Sequence, residues 1–276
     1  MRFSVITPSL NQRDWLQLCV QSVADQSVDV EHIVQDAGST DGTIEWLTSR
    51  KDGVALICEP DKGMYDAINR GIRRANGEIL SYLNCDEQYL PDALRAVEFF
   101  FAENPDIDVV FGYAVMVDTD GNFLCYRKTL VPSLWHTMTV HLTTLSAATF
   151  FRRRIFEEGI WFDDKYRCAG DAEWVCRLLR AGVRMAVLPC YLAAFTVTGT
   201  NQTTSSQGRD EAALLALKSP VWVRFLKPFL ILKHRLSRLT NGVYSQKPFS
   251  YSIYSQGSPV IRVQQEVLRP GFRVPW

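Results

Sequence analysis

Four acidic or glycine-rich turns in this 276-residue sequence follow stretches that the sequence predicts to be β-strands. The acids are Asp36, Asp61, Asp86 and Asp171. In open α/β sheets, ligands bind outside the carboxyl ends of the strands. We therefore expect the four turns to meet at one edge of a sheet. Carboxylates gathered there can grip N–H groups of a ligand, hold a divalent cation or act as a general base.

The first two turns are candidates for holding a nucleotide-like ligand. In VQDAGSTDGT (34–43), Asp36 can accept hydrogen bonds from a ligand, and Ser39 begins a turn that leads to a helix. In EPDKGMYDAIN (59–69), Lys62 can meet a phosphate that Asp61 positions, because a helix N-terminus favours anions. The alternatives are an ordinary helix cap for the first turn and a solvated surface loop for the second.

The other two turns are candidates for metal binding and proton transfer. Asn84, Cys85, Asp86 and Glu87 follow an apolar strand, and adjacent carboxylates there suit Mg²⁺ or Mn²⁺. The alternative for them is a helix cap. Asp171 stands at the head of an amphipathic helix, where it can be the catalytic base, the N-cap, or both.

Several protein classes are disfavoured by what the sequence lacks. It has no G-x-x-x-x-G-K-[ST] motif, and no G-x-G-x-x-G follows the first strand, which argues against P-loop hydrolases and typical dinucleotide oxidoreductases. The seven cysteines are scattered singly, without zinc-finger spacing, so we expect free thiols in a reduced, cytoplasmic setting. No apolar run is long enough to span a membrane, and the N-terminal one is too short for a signal peptide.

The elements that must position these turns alternate between strands and helices. Short apolar β-branched runs predict strands at residues 3–7, 32–35, 54–58, 79–83 and 109–113, with helical periodicity between them. This order predicts an α/β protein with a doubly wound, mostly parallel central sheet. Beyond it, the sequence predicts a hairpin on an Asp-Gly turn near residue 120, a strand at 147–151, a helix at 171–181 and a strand at 183–188.

Six segments in order resemble one known family. They are SVITPSLNQ, VQDAGSTDGT, EPDKGMYDAINRGI, GEILSYLNCDEQYLPDAL, AATFFRRRIFEEGIWFDDKY and AGDAEWVCRLLRAG. Over about residues 1–200 they resemble the family 2 glycosyltransferases, inverting enzymes with the Rossmann-like GT-A fold. The resemblance implies metal-dependent transfer of a sugar from a nucleotide-diphosphate sugar, with UDP favoured, to an acceptor hydroxyl. It further implies Mn²⁺ or Mg²⁺ as cofactor, a glycan or lipid-linked acceptor, and a role in cell-surface polysaccharide assembly.

The resemblance also assigns roles to individual residues. Thr7 and Pro8 end the strand where the family places the nucleotide, and Asp36 matches the acid that holds the base. Asn84-Cys85-Asp86 takes the place of the D-x-D motif, so Asp86 is the expected metal ligand, and Asn84 is left for the ribose or a metal-bound water. Asp171 matches the catalytic acid of the family's E-D motif.

Three departures from the family pattern accompany this match. Asn84 and Gly170 replace the acids expected at their positions. A histidine often found near the diphosphate has no counterpart in FTVTGTN (195–201), which leaves Thr198, Asn201 or Lys62 for that contact.

Two alternatives to sugar transfer stay open at this point. A sugar-nucleotide nucleotidyltransferase would need a glycine-rich basic loop after the first strand, whereas PSLNQ (8–12) offers none. A non-catalytic nucleotide- or glycan-binding protein is favoured only by the departures at Asn84 and Gly170.

The charge distribution divides the chain into an acidic body and a basic extension. Residues 1–211 hold 20 basic and 29 acidic side chains, and residues 212–276 hold 10 basic ones and Glu266. We therefore expect a GT-A domain at 1–211, with its nucleotide-sugar part at about 1–113 and its acceptor part at about 114–211. A basic, helical, amphipathic extension would follow at 212–276. The sequence offers little on residues 244–276.

The extension predicts an amphipathic contact surface. Apolar residues recur at helical spacing, with Arg224, Lys227, Arg235 and Arg238 opposite them. Such a segment can lie on an anionic membrane through 219–239, or pack on the acidic domain. No nucleic-acid partner is expected. The apolar residues are Trp222, Phe225, Phe229, Leu232, Leu236 and Leu239.

Overall fold

The computed structural model describes residues 1–50, 53–199 and 206–273. Its first half alternates strands and helices as predicted. In chain order these are β1 (Phe3–Ser9), α1 (Arg13–Ala24), β2 (Val30–Asp36), α2 (Thr43–Ser49), β3 (Ala55–Cys58), α3 (Met64–Arg74) and β4 (Ile79–Tyr82). The strands pair in parallel in the order β3-β2-β1-β4. The carboxyl ends of β1, β2 and β4 therefore share one edge of the sheet.

The second half completes the sheet with mixed pairing. Its elements are β5 (Glu87–Tyr89), α4 (Ala93–Glu103), β6 (Val109–Val117), β7 (Phe123–Arg127), α5 (Leu134–Thr139), a 3-10 turn (Ser146–Ala148), β8 (Thr149–Arg152), α6 (Arg154–Glu157), α7 (Gly170–Arg180) and β9 (Met185–Thr196). From β4 the order continues β8-β6-β9-β5, with β7 on β6. Strand β8 is antiparallel to β4 and β6, and β6 is parallel to β9. The predicted α/β class is confirmed.

Helices cover both faces of the sheet. On one face α3 and α7 enclose a buried cluster that includes Ile6, Ile68 and Trp174. On the other, α1 and α4 pack against Phe3 and its neighbours. Helix α3 lies very close to β1, since a Cβ added at Gly71 would lie 2.5 Å from a methyl carbon of Ile6. This close packing fixes the N-terminus of α3 beside the end of β1.

The C-terminal extension is only partly helical, which corrects the sequence prediction. Helices α8 (Ser206–Leu217), α9 (Val221–Phe225) and α10 (Lys227–Thr240) are followed by a hairpin of β10 (Phe249–Ser255) and β11 (Ser258–Val267). The hairpin joins the body, because the Tyr254 hydroxyl donates to Asp25 at 2.7 Å and the Gln88 side chain pairs with the Tyr254 backbone. The predicted domain boundary at 211/212 falls inside α8. The extension therefore begins within an element that also contacts the body.

The structure also bears on two expectations from the sequence, those on the cysteines and on membrane-spanning segments. All seven cysteines are free thiols, and four of them are buried. No helix in the described part of the chain has both the length and the apolar character needed to cross a membrane.

Candidate active site

A cavity of about 430 Å³ lies at the edge where β1 and β4 end. Its volume falls in the range of ordinary small-ligand sites. Both halves of the sheet contribute to its wall. The lining residues are Pro8, Ser9, Leu10, Gln12, Trp15, Ala37, Asp61, Gly63, Met64, Tyr65, Ala67, Tyr82, Asn84, Cys85, Asp86, Ser146, Cys168, Asp171, Phe195 and Thr198.

Six of the ten residues that the sequence predicted for the site line this cavity. They are Pro8, Asp61, Asn84, Cys85, Asp86 and Asp171. The two acids with distinct predicted roles, Asp86 and Asp171, come from different halves of the chain and face the same space. Two acids can act on one bound ligand only if they face the same cavity, as Asp86 and Asp171 do.

Asp86 lies in the short turn between β4 and β5, beside a second acid. Burial raises the pKa of the Asp86 carboxyl above its usual value. Its neighbour Glu87 is fully buried, and burial together with the Asp86 charge raises the pKa of Glu87 to about 8. The Glu87 carboxylate accepts the backbone N–H of Asn84 at 2.8 Å and the hydroxyl of Ser146 at 3.4 Å. Two crowded acids of this kind favour a nearby cation.

The donor set fits a cation that is shared with a ligand. In the described residues, no group of three or more His, Cys, Asp or Glu side chains is arranged to hold a metal ion. Of the two acids in the turn, only Asp86 lines the cavity, together with Asn84. Mg²⁺ is commonly held by one or two carboxylates together with substrate phosphates and water. The side chains present suit that type of site.

Asp171 lies in the first turn of α7, and the expectation that it is the N-cap is wrong. Ala169 occupies the N-cap position of the helix. One Asp171 oxygen accepts the backbone N–H of Ala172 at 2.7 Å. Burial raises the pKa of the Asp171 carboxyl to about 6. Near neutral pH this group is ionised, yet it is more basic than an ordinary aspartate.

Tyr65, on α3, is a site residue that the sequence prediction did not include. Its hydroxyl accepts the backbone N–H of Asp171 at 3.1 Å and lies 3.4 Å from the carboxylate Oδ1 of the same residue. The Tyr65 ring also occupies the space beside Gly170, where an added Cβ would lie 2.6 Å from the ring. The departure at Gly170 therefore accommodates this tyrosine.

Glu211, on α8, is a second residue that the sequence prediction missed. Its buried carboxylate accepts backbone N–H groups from three successive residues, Arg167 at 2.9 Å, Cys168 at 2.8 Å and Ala169 at 2.9 Å. These residues immediately precede α7. Glu211 thus fixes the entry into the helix that carries Asp171. No local motif signals this contact, because it joins segments more than 40 residues apart.

Three predicted residues at the ends of β1 and β2 are buried beside the cavity and do not line it. Asp36 accepts the backbone N–H groups of Gly38 and Ser39 and the Ser39 hydroxyl, at 2.7 to 2.9 Å. Thr7 contacts the His32 ring at 2.9 Å. Ala37, between Asp36 and this turn, does line the cavity. The structure shows Asp36 and Ser39 shaping the turn, and their contact with a nucleotide base stays a prediction.

Lys62 does not reach the cavity wall. Its side chain is 71% exposed, and its ammonium nitrogen lies 3.6 Å from an oxygen of Asp164. Arg167 does not line the cavity either, but it packs against Gly63, which does: a Cβ added at Gly63 would be 3.0 Å from a guanidinium nitrogen of Arg167. Two other residues were candidates for the diphosphate contact. Thr198 lines the cavity, and Asn201 lies outside the described residues.

Aromatic side chains form part of the wall that the sequence prediction did not specify. Trp15, Tyr82 and Phe195 come from α1, β4 and β9. In the sequence, Trp15 is one member of an apolar helical stripe and Tyr82 is part of an apolar strand. Periodicity alone cannot separate such residues from the core.

The chain has the GT-A fold of solved glycosyltransferase structures. The chain superposes on S. aureus TarS 1–349 in complex with UDP-GlcNAc with a TM-score of 0.62 and 20% identity, covering 88% of this chain and 75% of that one. It covers 45% of the longer TarS structure. The mannosyltransferase PcManGT from Pyrobaculum calidifontis, in complex with GDP-Man and Mn²⁺, gives a TM-score of 0.58 at 17% identity, covering 88% and 76% of the two chains.

The sequence comparison assigns the family. Residues 4–161 match Glycosyl transferase family 2, and the chain belongs to that family. A PGL/p-HBAD biosynthesis glycosyltransferase of Mycobacterium bovis is 30% identical over 185 residues, covering 63% of this chain and 68% of the relative. The protein is therefore an enzyme of glycosyl transfer, as the resemblance implied.

Proposed function

We propose that this protein is a metal-dependent, inverting glycosyltransferase that moves a sugar from a UDP-sugar to an acceptor hydroxyl during assembly of a cell-surface glycan. The observation that carries the proposal is that Asp86, between β4 and β5, and Asp171, on α7, line one cavity from different halves of the chain. Asp86 is available to hold a cation beside the leaving group, and Asp171 is available to take the proton of the incoming alcohol.

The leaving-group side of the reaction develops negative charge. When the bond between the sugar and the diphosphate breaks, that charge accumulates on the departing phosphate oxygens. Asp86 would hold Mg²⁺ or Mn²⁺, with Asn84 beside it, and the ion would supply Lewis-acid stabilisation of the leaving diphosphate. The PcManGT complex with Mn²⁺ supports use of a divalent ion by this fold.

The acceptor side requires removal of a proton. Asp171 takes the proton from the acceptor hydroxyl as its oxygen attacks the anomeric carbon on the face opposite the diphosphate. A base with a pKa of about 6 is well matched to this task near neutral pH. General-base catalysis of this kind contributes roughly 10²- to 10⁴-fold in rate. A single displacement inverts the configuration of the anomeric carbon.

The identities of the donor and the acceptor are proposed from the family resemblance and from solved structures with this fold. TarS binds UDP-GlcNAc and PcManGT binds GDP-Man. UDP is our choice because the family resemblance favours it, and TarS structures with this fold hold UDP-GlcNAc and UDP. The acceptor is an alcohol of a glycan or of a lipid-linked sugar.

A two-stage experiment tests the proposal. Thermal shift with a panel of UDP-, TDP- and GDP-sugars, each with and without Mn²⁺, identifies the donor, because a ligand that binds the native state raises its stability. Transfer to candidate acceptors is then compared for the wild type and Asp171→Asn. We expect the variant to bind the donor as the wild type does and to lose at least about 10²-fold in turnover.

A matched control and three alternative outcomes complete this test. Asp106→Asn changes a carboxyl that is 73% exposed and paired with Arg184, and we expect it to leave turnover unchanged. Wild-type turnover in Asp171→Asn would exclude Asp171 as the base. Release of pyrophosphate from a nucleoside triphosphate and a sugar phosphate would instead support a nucleotidyltransferase. Failure of every donor to be transferred or hydrolysed with Mn²⁺ would support a non-catalytic binding protein.

A further inference from the structure

Helices α9 and α10 present an unusually apolar surface to solvent. No residue of α10 is buried, although the helix has 14 residues. Phe225 is 81% exposed, and Leu239 is 63% exposed. Exposed apolar patches of this kind on a folded protein mark interaction sites. We call this surface the apolar stripe, and its members are Phe225, Phe229, Leu232, Leu236 and Leu239.

The apolar stripe faces away from the body of the protein. Its four members on α10 follow one another at spacings of three or four residues, which places them along one side of that helix, and Phe225 is the last residue of α9. The other side is attached, because the His234 ring stacks on His136 of α5 with centroids 4.1 Å apart. Just before α10, Trp222 packs edge-on against Trp135, with centroids 5.8 Å apart. The orientation of the stripe is therefore fixed by contacts on the opposite side.

Basic side chains border the apolar stripe. Arg224, Lys227, Lys233 and Arg235 are exposed, and no acidic residue occurs from 212 to 265. Lys233 and Arg235 lie between Leu232 and Leu236 in the sequence, so they flank the stripe. A partner that binds this surface must contact the apolar stripe with apolar groups and the bordering basic side chains with negative charges.

We propose that α9 and α10 bind the surface of a bilayer that contains anionic lipids. An interfacial helix lies in the plane of the membrane with its apolar side among the acyl chains and its basic side chains among the headgroups. Helix α10 extends about 21 Å at 1.5 Å per residue, so it is suited to lying along the surface. A symmetric dimer through this surface is a poorer occupant, because it would bring two basic surfaces together without acids between them.

The membrane-binding helices are linked to the candidate active site through α8. Glu211 of α8 binds the backbone that leads into α7 and Asp171, as described above. The Lys218 ammonium, at the end of α8, donates to the Tyr166 hydroxyl at 2.9 Å. Binding of the apolar stripe would thus hold the cavity at a fixed position relative to the bilayer. This arrangement favours an acceptor anchored in the membrane, an inference that rests on the proposed function.

Vesicle co-sedimentation of the full chain tests the proposal. Vesicles of neutral phosphatidylcholine are compared with vesicles that also contain anionic phosphatidylglycerol. We expect the wild type to pellet with the anionic vesicles, and high salt to weaken binding because it screens the charges. The triple variant Phe225→Gln/Phe229→Gln/Leu232→Gln should lose at least tenfold in affinity. The matched control Val260→Gln/Ile261→Gln removes two residues that are 75% and 73% exposed on β11, and it should bind normally.

A second variant covers the case in which the first fails to fold. Lys233→Glu/Arg235→Glu changes only exposed side chains and should abolish the preference for anionic vesicles. Equal pelleting of the wild type and both variants would overturn the proposal, as would an absence of binding to anionic vesicles. So would a wild-type dimer that the triple variant dissociates in the absence of lipid, measured by analytical ultracentrifugation. Binding is measured without donor or acceptor, so its failure is distinct from failure of sugar transfer.

Discussion

The hydroxyl of Tyr65 lies 3.4 Å from the carboxylate Oδ1 of Asp171, although the two residues are 106 positions apart in the chain. The same hydroxyl accepts the backbone N–H of Asp171 at 3.1 Å. Its proton is shared between the carboxylate and the Cys168 carbonyl, which is 3.3 Å away. Tyr65 thereby connects α3, at the donor side of the cavity, to the proposed base on α7. We infer that Tyr65 positions Asp171 and stabilises its ionised form.

Tyr65→Phe is expected to change the pH dependence of transfer. Because the base must be deprotonated, kcat/KM should rise with pH through the pKa of Asp171, which is about 6 in the wild type. Loss of the tyrosine hydroxyl removes a hydrogen bond to the ionised carboxylate and should raise that pKa by about half a unit. Activity should therefore fall about twofold at pH 6 and recover at pH 8. The measurement is kcat/KM from pH 5 to 9.

A control separates this effect from simple damage to the fold. Tyr113→Phe removes a hydroxyl outside the residues that line the cavity and should leave the acidic limb unmoved. A uniform loss of activity at every pH in Tyr65→Phe would show a purely structural role. An unchanged profile would show that the hydrogen bond has no effect on the base.

Asn84→Asp is expected to strengthen the use of a divalent ion. The substitution adds a carboxylate to the cavity wall, next to Asp86, and so supplies a second charged oxygen ligand. The Mn²⁺ concentration that gives half-maximal transfer should fall by roughly tenfold. Without metal, the added charge near Asp86 and Glu87 should lower the Tm, because like charges repel. Adding Asp86→Ala to this variant should abolish the gain, and retention of the gain would refute Asp86 as a metal ligand.

Arg167 and Lys62 can be ranked as contacts for the donor diphosphate. Arg167 packs against Gly63, which lines the cavity, whereas Lys62 is largely exposed and paired with Asp164. Solvent and salt screen exposed charges strongly. We expect Arg167→Met to raise the Kd of the nucleotide sugar by about tenfold, and Lys62→Met to change it less than twofold. Isothermal titration at low and moderate salt measures both values, and the reverse ranking would restore Lys62 to the site.

Much of the fold and part of the site could be predicted from the sequence, because the relevant signals are local. The strands before Asp36 and Asp86 are short β-branched runs, and their carboxyl ends share an edge by the rules of parallel sheets. Six of the predicted side chains, including Asp86 and Asp171, consequently line the cavity.

The parts that the sequence did not predict depend on long-range packing. Tyr65 and Glu211 act on residues 106 and 42 to 44 positions away, so no spacing rule identifies them. The hydrogen bonds of Asp36 within its own turn were also not predicted, and its contact with a nucleotide base stays a prediction. The β10–β11 hairpin has strand-forming residues, but it adopts its place through contacts such as that between Tyr254 and Asp25. Its serines and glutamines obscure the alternation that usually indicates a strand.

Glu211→Ala tests whether the start of α7 depends on a single carboxylate from α8. The substitution removes the acceptor for three backbone N–H groups, two of which share one oxygen. Charge-assisted hydrogen bonds of this kind are strong, and buried donors left without a partner are costly. We expect the free energy of unfolding to fall by about 2 to 4 kcal/mol, measured by urea denaturation. Turnover should fall as well, because the backbone that carries Asp171 loses its restraint.

Two comparisons establish the cause of this effect. Asp210→Ala removes an exposed acid from the preceding position of the same helix, and it should change stability by less than about 0.5 kcal/mol. Glu211→Gln keeps one acceptor oxygen and should recover part of the loss. If Glu211→Ala lowers stability while kcat stays at the wild-type value, the contact stabilises the fold without positioning the base. If kcat falls more steeply than stability explains, α8 controls the geometry of Asp171 and couples the C-terminal extension to the reaction.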